Sequence, residues 1–223
     1  MIALAVAACG GGGNGARDGG ARDADRPPGD GNGPSDHGAS VLELHAGPSR
    51  AGAYVDDAFT MAAAATLHLD TTFTAKYTGA AFAQALYLDR GGARDLVIAA
   101  TEANQVTAFD PTGAMVWRVE LGTPQPMPNA AEGAGCGNIN PLGITGTPVI
   151  DAASGTIYLD AMIRENNAAH HRIFALSVED GSTRSGWPID VGTALKGTAT
   201  PFLPAPQNQR GGLTLVNGRV YVP

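Results

Sequence analysis

Repetition of one turn-and-strand motif constrains this chain more than any other feature of its sequence. Apolar alternation leads into a turn built on Asp or Ser and Gly, and a tryptophan-bearing strand follows. The first copy runs from Ala108 to Trp117, and a degraded copy runs from Ala175 to Gly181, with Trp187 a few residues later. This arrangement is typical of the outer hairpin of a repeated β-module. The copies lie further apart than a repeat of about 40–50 residues allows, so the Gly-, Pro- and Asn-rich stretch 122–146 is predicted to be an insertion.

Short strands separated by turn signals fill the chain from Phe82 onward. One predicted four-stranded unit consists of 82–89, 96–101, 105–110 and 115–121, a second of 147–151, 156–161, 172–177 and 187–191, and a third begins with 213–216 and 219–222. Residues 66–77 are predicted to form an isolated strand pair, and 61–65 a single helical turn. Four-stranded modules that bury one face on each neighbour predict an all-β fold, an incomplete β-propeller of antiparallel blades.

The first forty residues predict an anchor and a tether. Residues 2–8 are small and apolar and end in Val6-Ala7-Ala8-Cys9, which resembles a bacterial lipobox in which Cys9 is the lipidation site. No basic residue precedes this segment, so an ordinary disordered terminus with a stray cysteine is the alternative. Residues 10–40 are almost entirely Gly, Asp, Arg, Asn and Pro, and a segment without apolar residues cannot offset its own ordering entropy.

These features predict three regions: a lipoprotein signal segment (1–9), a disordered Gly-rich linker (10–40) and a partial propeller (41–223). The expected location is the bacterial cell envelope, lipid-anchored at the outer membrane, in the periplasm or on the cell surface. Two complete blades do not close a ring. We therefore expect residues 41–223 to be the N-terminal part of a longer propeller or a truncated gene product.

Charge and glycine content restrict the class of partner. The formal net charge is −7, and lysine occurs only at Lys76 and Lys196, so the surface offers no basic footprint for nucleic acid. Glycine (31) and proline (15) are abundant among the 223 residues, which fits a turn-rich all-β protein.

The repeated hairpin resembles the repeats of pyrroloquinoline-quinone-type β-propellers, whose pattern runs Ala-x-Asp-x-x-Thr-Gly-x-x-x-Trp. The first copy is one residue short in the turn but keeps Ala108, Asp110, Thr112, Gly113 and Trp117. The second copy keeps Ala175 and Gly181, replaces Asp with Ser177 and Thr with Asp180, and displaces its tryptophan to Trp187. The resemblance implies that the glycines permit the turns and that the tryptophans pack between adjacent blades.

A second likeness covers 136–151, 207–210 and 215–222, which look like a group of secreted, poorly characterised bacterial propellers. Neither likeness assigns any residue of a quinone or calcium site, so no cofactor and no catalytic residue is predicted. The favoured function is a non-catalytic, envelope-tethered scaffold that binds other envelope proteins or a small polar ligand. The alternative is a quinoprotein oxidoreductase whose pyrroloquinoline quinone and calcium site lies beyond Pro223. A carbohydrate-binding surface module is a third possibility.

Loop lengths indicate where a ligand would bind. In a meander of strands, the connections 122–146, 162–171 and 192–211 emerge at the same end of the second unit, and long loops on a rigid scaffold are common binding sites. The candidate ligand residues there are Asn138, Asn140, Gln207, Asn208, Gln209 and Arg210. Such amides also cap the backbone groups of their own loops, and this is the interpretation that we favour.

Histidine and cysteine give weaker indications. Adjacent positions on a strand point to opposite faces, so His170 and His171 are predicted to lie in a solvent-exposed turn rather than in a metal site. Cys136 is predicted to pair in a disulfide with a residue beyond Pro223, because the expected compartment is oxidising. A reactive thiol is the alternative at Cys136.

Overall fold

β-Strands dominate the part of the chain that the computed structural model describes, which comprises residues 3–4, 40–56, 58–133 and 137–223. The strands are β1 (Ala3–Leu4), β2 (Leu86–Leu88), β3 (Leu96–Ala100), β4 (Gln105–Phe109), β5 (Met115–Glu120), β6 (Val149–Asp151), β7 (Thr156–Glu165), β8 (Ala168–Ser177), β9 (Ile189–Asp190), β10 (Thr214–Val216) and β11 (Arg219–Val222). The expected all-β class is confirmed.

Helices in the described residues are short. They are α1 (Met61–Ala65), α2 (Val191–Ala194) and 3-10 helices at Leu44–Ala46, Gly92–Arg94 and Ala130–Glu132. Helix α1 occupies the residues predicted for a single turn, and the Thr60 side chain caps it by accepting a hydrogen bond from the Ala63 N–H. No helix in the described ranges has the length and apolar character needed to cross a membrane.

Two sheets of four antiparallel strands are built in sequence order. The first sheet has the order β2-β3-β4-β5 and the second the order β6-β7-β8-β9, so every strand pairs with its neighbour in the chain. In the first sheet, Leu86, Ile98, Ala108 and Trp117 stand opposite one another across successive strands and form one buried row. The short turns of the sequence produce this meander, because antiparallel neighbours need only a few connecting residues.

The third sheet is a hairpin, β10-β11, with β1 paired in parallel to β11. Its turn contains Asn217 and Gly218, both at positive φ (51° and 69°). Asn-Gly favours this backbone conformation, which matches the twist of a two-residue hairpin.

The core lies between the faces of successive sheets. At the first junction, the Leu86–Trp117 row of the first sheet packs on Ile150, Ile157, Leu159, Phe174 and Leu176 of the second sheet. At the second junction, the opposite face of the second sheet contributes Val149, Ile173 and Tyr158, which pack on Leu213, Val220 and Val222 of the third-sheet region. The second sheet therefore buries both faces, which explains its nearly continuous apolar strands.

The prediction of a connecting loop at 162–171 is wrong. Strands β7 and β8 pair along their whole length, from Thr156↔Ser177 to Glu165↔Ala168, and turn through Asn166 and Asn167 alone. Polar residues interrupt the apolar alternation in this part of the hairpin, so its strands could not be predicted from the pattern. His170 and His171 accordingly lie on β8, and the prediction of a solvent-exposed turn is wrong for both. They do point to opposite faces, as adjacent strand residues must.

The strand pair predicted at 66–77 is absent from the described structure. Asp70 accepts hydrogen bonds from the Thr72 N–H (2.8 Å) and the Thr72 hydroxyl (2.6 Å), which turns the chain locally. Such side-chain-to-backbone bonds compete with strand pairing. The strand predicted at 187–191 is also shorter, because Asp190 caps helix α2 by accepting from the Thr193 N–H at 2.7 Å.

Candidate functional site

Three long segments and one short turn lie together at one end of the sheets, which we call the long-loop face. They are the β3–β4 turn (101–104), the β5–β6 connection (121–148), the tip of the β7–β8 hairpin (162–171) and the β9–β10 connection (191–213). Beneath them, Ile139, Leu142, Met162, Ala169 and Ala205 form a small apolar cluster that draws residues from three of these segments. The convergence predicted for the connections is therefore present, with a rigid hairpin in place of one loop.

Hydrogen bonds hold the β5–β6 connection against the hairpin. The Arg164 N–H donates to the Thr123 carbonyl (2.8 Å), and the Arg164 guanidinium lies 2.7 Å from a carboxylate oxygen of Glu132. Within the connection, Gln125 and Leu142 exchange two backbone hydrogen bonds of 2.7 and 2.8 Å. This part of the face is thus an ordered platform.

Glu102 is a buried carboxylate in the β3–β4 turn, with only 2% of its surface exposed. One carboxylate oxygen, Oε2, accepts a hydrogen bond from the Gly143 N–H at 2.6 Å, whereas Oε1 has no hydrogen-bond partner among the described residues. Burial raises the pKa of Glu102, because removal from water disfavours the charged form, and this outweighs the Gly143 N–H, the Thr145 side chain and the charge of Arg210.

Three further oxygens beside the segment 143–146 are buried without a partner in the described structure: Asn104 Oδ1, Thr145 Oγ1 and Gln209 Oε1. The Asn104 side-chain nitrogen donates to the Met162 carbonyl at 2.9 Å, and the Gln209 side-chain nitrogen donates to the Gly211 carbonyl. These bonds fix the orientation of both amides. Their oxygens therefore remain as acceptors directed at the segment 143–146.

His171 and Asp160 form a second buried pair on the face of the second sheet that packs toward 191–213. His171 Nδ1 lies 2.6 Å from Asp160 Oδ2, and His171 Nε2 lies 3.3 Å from the Gln207 carbonyl oxygen. Both ring nitrogens thus face acceptors, which favours the imidazolium. Burial alone lowers the pKa of His171, but the charge and hydrogen bond of Asp160 outweigh it and the pKa is raised. The pair ties the β9–β10 connection to β8.

The candidate ligand residues separate into two groups. Asn138 and Asn208 are exposed, and Asn140 is exposed but accepts a hydrogen bond from the Met127 N–H at 2.9 Å. Gln207, Gln209 and Arg210 lie in the β9–β10 connection, where the Gln207 carbonyl faces His171 and the Gln209 side-chain oxygen lies against Gly146. Sequence reasoning missed Glu102, Asn104, Thr145 and Asp160. The one available signal was a polar Thr-Glu-Ala-Asn turn between two apolar strands.

The repeat residues lie in the strands, in the turns and at the junctions between sheets. Ala108 and Ala175 are buried, and Gly113 and Gly181 have positive φ (84° and 72°). The Trp117 indole N–H donates to the Val178 carbonyl at 2.8 Å across the first junction.

The remaining repeat residues, Asp110 and Trp187, have equally definite contacts. Asp110 Oδ1 accepts from the Thr112 N–H, the Thr112 hydroxyl and the Ala114 N–H, at 2.7–3.0 Å. In the second copy, Asp180 makes the corresponding bonds to Ser182. Trp187 packs edge-to-face on Tyr158, with ring centroids 5.7 Å apart, at the second junction.

Cys9 and Cys136 lie outside the described residues, so the predicted lipid anchor and disulfide stay predictions. Within the described ranges, no group of three or more His, Cys, Asp or Glu side chains could hold a metal ion. The chain matches no known family model, and no curated protein is similar to it.

Proposed function

We propose that the chain is a non-catalytic binding scaffold of β-propeller type, tethered to the bacterial cell envelope, whose long-loop face holds a polar ligand or a partner protein. The observation that carries this proposal is the convergence of the long connections on one end of two stacked sheets. Their hydrogen bonds to the β7–β8 hairpin make that end a pre-organised platform, which lowers the entropic cost of binding.

The propeller architecture is supported by the way in which the sheets succeed one another. Each four-stranded sheet is a meander, and each packs its face on the next sheet along the chain. Trp117 and Trp187 stand at successive junctions, as the resemblance to quinone-type repeats implies. Radial repetition of such units is the arrangement that defines a propeller.

The surface of the face favours a neutral or singly anionic group. Asn138, Asn208 and Arg210 are exposed there, and together they offer amide and guanidinium donors. Sugar hydroxyls and a peptide carboxylate both match these donors. The net charge of −7 disfavours extended polyanions.

Backbone amide NMR shifts of the whole chain test the ligand face. The probes are a neutral oligosaccharide and a short peptide with a free C-terminal carboxylate, titrated separately. We expect saturable shifts confined to 101–104, 121–148 and 207–211, and at least about a fivefold loss of affinity in Arg210→Ala if the carboxylate binds. Arg118→Ala, an exposed arginine on β5, is the matched control.

Two outcomes of these titrations contradict the proposal. One is shifts confined to the opposite end of the sheets. The other is saturable binding of pyrroloquinoline quinone with calcium, accompanied by dye-linked oxidation of an alcohol or sugar, which identifies a quinoprotein.

The tether is tested separately, in a bacterium that expresses the full chain. We expect incorporation of labelled palmitate into the wild type and none into Cys9→Ser, because the thiol is the acceptor. Equal labelling of both proteins contradicts a lipid anchor at Cys9.

A further inference from the structure

Four buried side-chain oxygens beneath the long-loop face have no hydrogen-bond partner among the described residues. They belong to Glu102, Asn104, Thr145 and Gln209, and all of them border the segment 143–146. A buried polar atom that lacks a partner costs roughly 1–3 kcal/mol. Four such oxygens beside one short segment indicate a bound ion or molecule, the occupant of this place, that supplies the missing interactions.

The atoms of Glu102, Asn104 and Gln209 are acceptors, and the Thr145 hydroxyl can accept as well as donate, so an electron-poor occupant matches this set. Glu102 supplies a carboxylate oxygen, and the side-chain nitrogens of Asn104 and Gln209 already donate to the Met162 and Gly211 carbonyls. Rotation of either amide would break that bond and place its nitrogen inward. An anion is therefore repelled by this set of atoms.

The occupant must also be small. The backbone of 143–146 approaches these oxygens so closely that a Cβ atom on Gly143 would lie 2.7 Å from Asn104 Oδ1. A Cβ on Gly146 would likewise overlap Gln209 Oε1. Because all four oxygens are buried, the side chain of a partner has no path to them, which leaves a single ion or a water molecule as the occupant.

We propose that Glu102, Asn104, Thr145 and Gln209 form a binding site for a hard metal cation, which joins the β3–β4 turn to the β5–β6 and β9–β10 connections. Carboxylate, amide and hydroxyl oxygens are the ligands preferred by such ions.

The inference does not depend on the proposed function, because an ion that joins these loops stabilises the fold with or without a ligand on the face.

The experiment uses the whole chain after treatment with a chelator. Calcium, magnesium and sodium are titrated separately, by calorimetry and by thermal unfolding. We expect at least one of them to bind saturably and to raise Tm with its concentration, because an ion that binds only the folded state stabilises it.

Substitutions test whether the cation binds at these residues. Glu102→Gln keeps the shape of the side chain but removes the charge, and is expected to weaken binding at least about tenfold. Thr145→Val removes one ligand with little change of shape and should weaken binding several-fold. Glu120→Gln, an exposed carboxylate at the same end of the first sheet, should leave the affinity unchanged.

Three results overturn the site. One is the absence of any effect of the three cations on wild-type Tm, and another is equal weakening by Glu102→Gln and Glu120→Gln. The third is a Thr145→Val protein that is more stable than wild type and has the same cation affinity, which assigns the oxygens to ordered water. Circular dichroism of each variant, recorded first, ensures that only folded proteins are compared.

Discussion

Gly181 has no room for a side chain, because its neighbour across the first junction is Trp117. A Cβ atom there would lie 2.7 Å from Trp117 Cε3, and φ is +72°. Gly155 of the same sheet has a similar φ of +60°, but its nearest contact would be 3.8 Å away, at the end of Arg184. A comparison of substitutions at these two glycines therefore distinguishes the effect of steric crowding from that of backbone strain.

We predict that Gly181→Ala lowers the free energy of unfolding by about 1–3 kcal/mol more than Gly155→Ala does. Both variants incur the left-handed backbone cost of about 1–2 kcal/mol, so the difference measures displacement of Trp117. Urea unfolding of the two variants provides the comparison. Equal destabilisation contradicts close packing at this contact.

The buried pair His171–Asp160 predicts a pH-dependent stability. Since the pKa of His171 is raised above its ordinary value of 6.5, folding favours the imidazolium. The stabilisation is therefore fully present below about pH 6.5 and is lost as pH rises through the higher pKa of the folded state.

Urea unfolding between pH 6 and pH 9 tests this pair. Asp160→Asn should lower stability by roughly 1–3 kcal/mol at the acidic end, because the buried imidazole loses the carboxylate that favours its charged form, and should remove the loss of stability at higher pH. His170→Gln, on the other face of β8, serves as the control and should retain it. A wild-type protein with constant stability over this range contradicts the assignment.

At the scale of elements, the β7–β8 hairpin depends on two consecutive left-handed residues. Asn166 and Asn167 have φ of 50° and 62°, the combination of a type I′ turn. We predict that Asn167→Gly leaves stability equal or slightly higher, and that Asn167→Ala lowers it by about 1 kcal/mol. Denaturant unfolding measures both changes. The opposite order of the two variants would contradict the turn type.

Strands whose apolar residues alternate or run continuously could be predicted from the sequence, and the outer half of this hairpin could not. The spans predicted around Ile98, Ala108 and Val220 match β3, β4 and β11 closely, because each is bounded by Gly, Asp or Asn turns. From Arg164 to His171 the strands are stabilised by distant partners, Glu132 and Asp160. Local patterns contain no information about such pairs.

The candidate site, too, could be predicted only in part from the sequence. Loop lengths predicted which end of the sheets carries the long connections, and they placed Gln209 and Arg210 there. Glu102 became a candidate only when folding brought Gly143 to within 2.6 Å of its carboxylate, although they are far apart in the chain. A buried carboxylate and an exposed one look alike in a sequence.

At the scale of the whole molecule, the two four-stranded sheets share one apolar core at the first junction, so we expect them to unfold as one unit. Leu159 is completely buried there. We predict that Leu159→Ala lowers the free energy of unfolding by about 2–5 kcal/mol and reduces amide-exchange protection in both sheets together. Val116→Ala, 51% exposed on β5, is the control and should have little effect. Loss of protection confined to the second sheet contradicts a shared unit.

The placement of the tryptophans gives the protein two built-in optical reporters. The chain contains only Trp117 and Trp187, and they stand at different junctions. In Trp187→Phe, the remaining emission comes from a buried indole that donates to Val178, and separation of the first two sheets would shift that emission to longer wavelength. In Trp117→Phe, the remaining emission comes from Trp187 and reports on the second junction, where the β10–β11 hairpin packs on the second sheet. Opening of the stack can therefore be followed one junction at a time without an added dye.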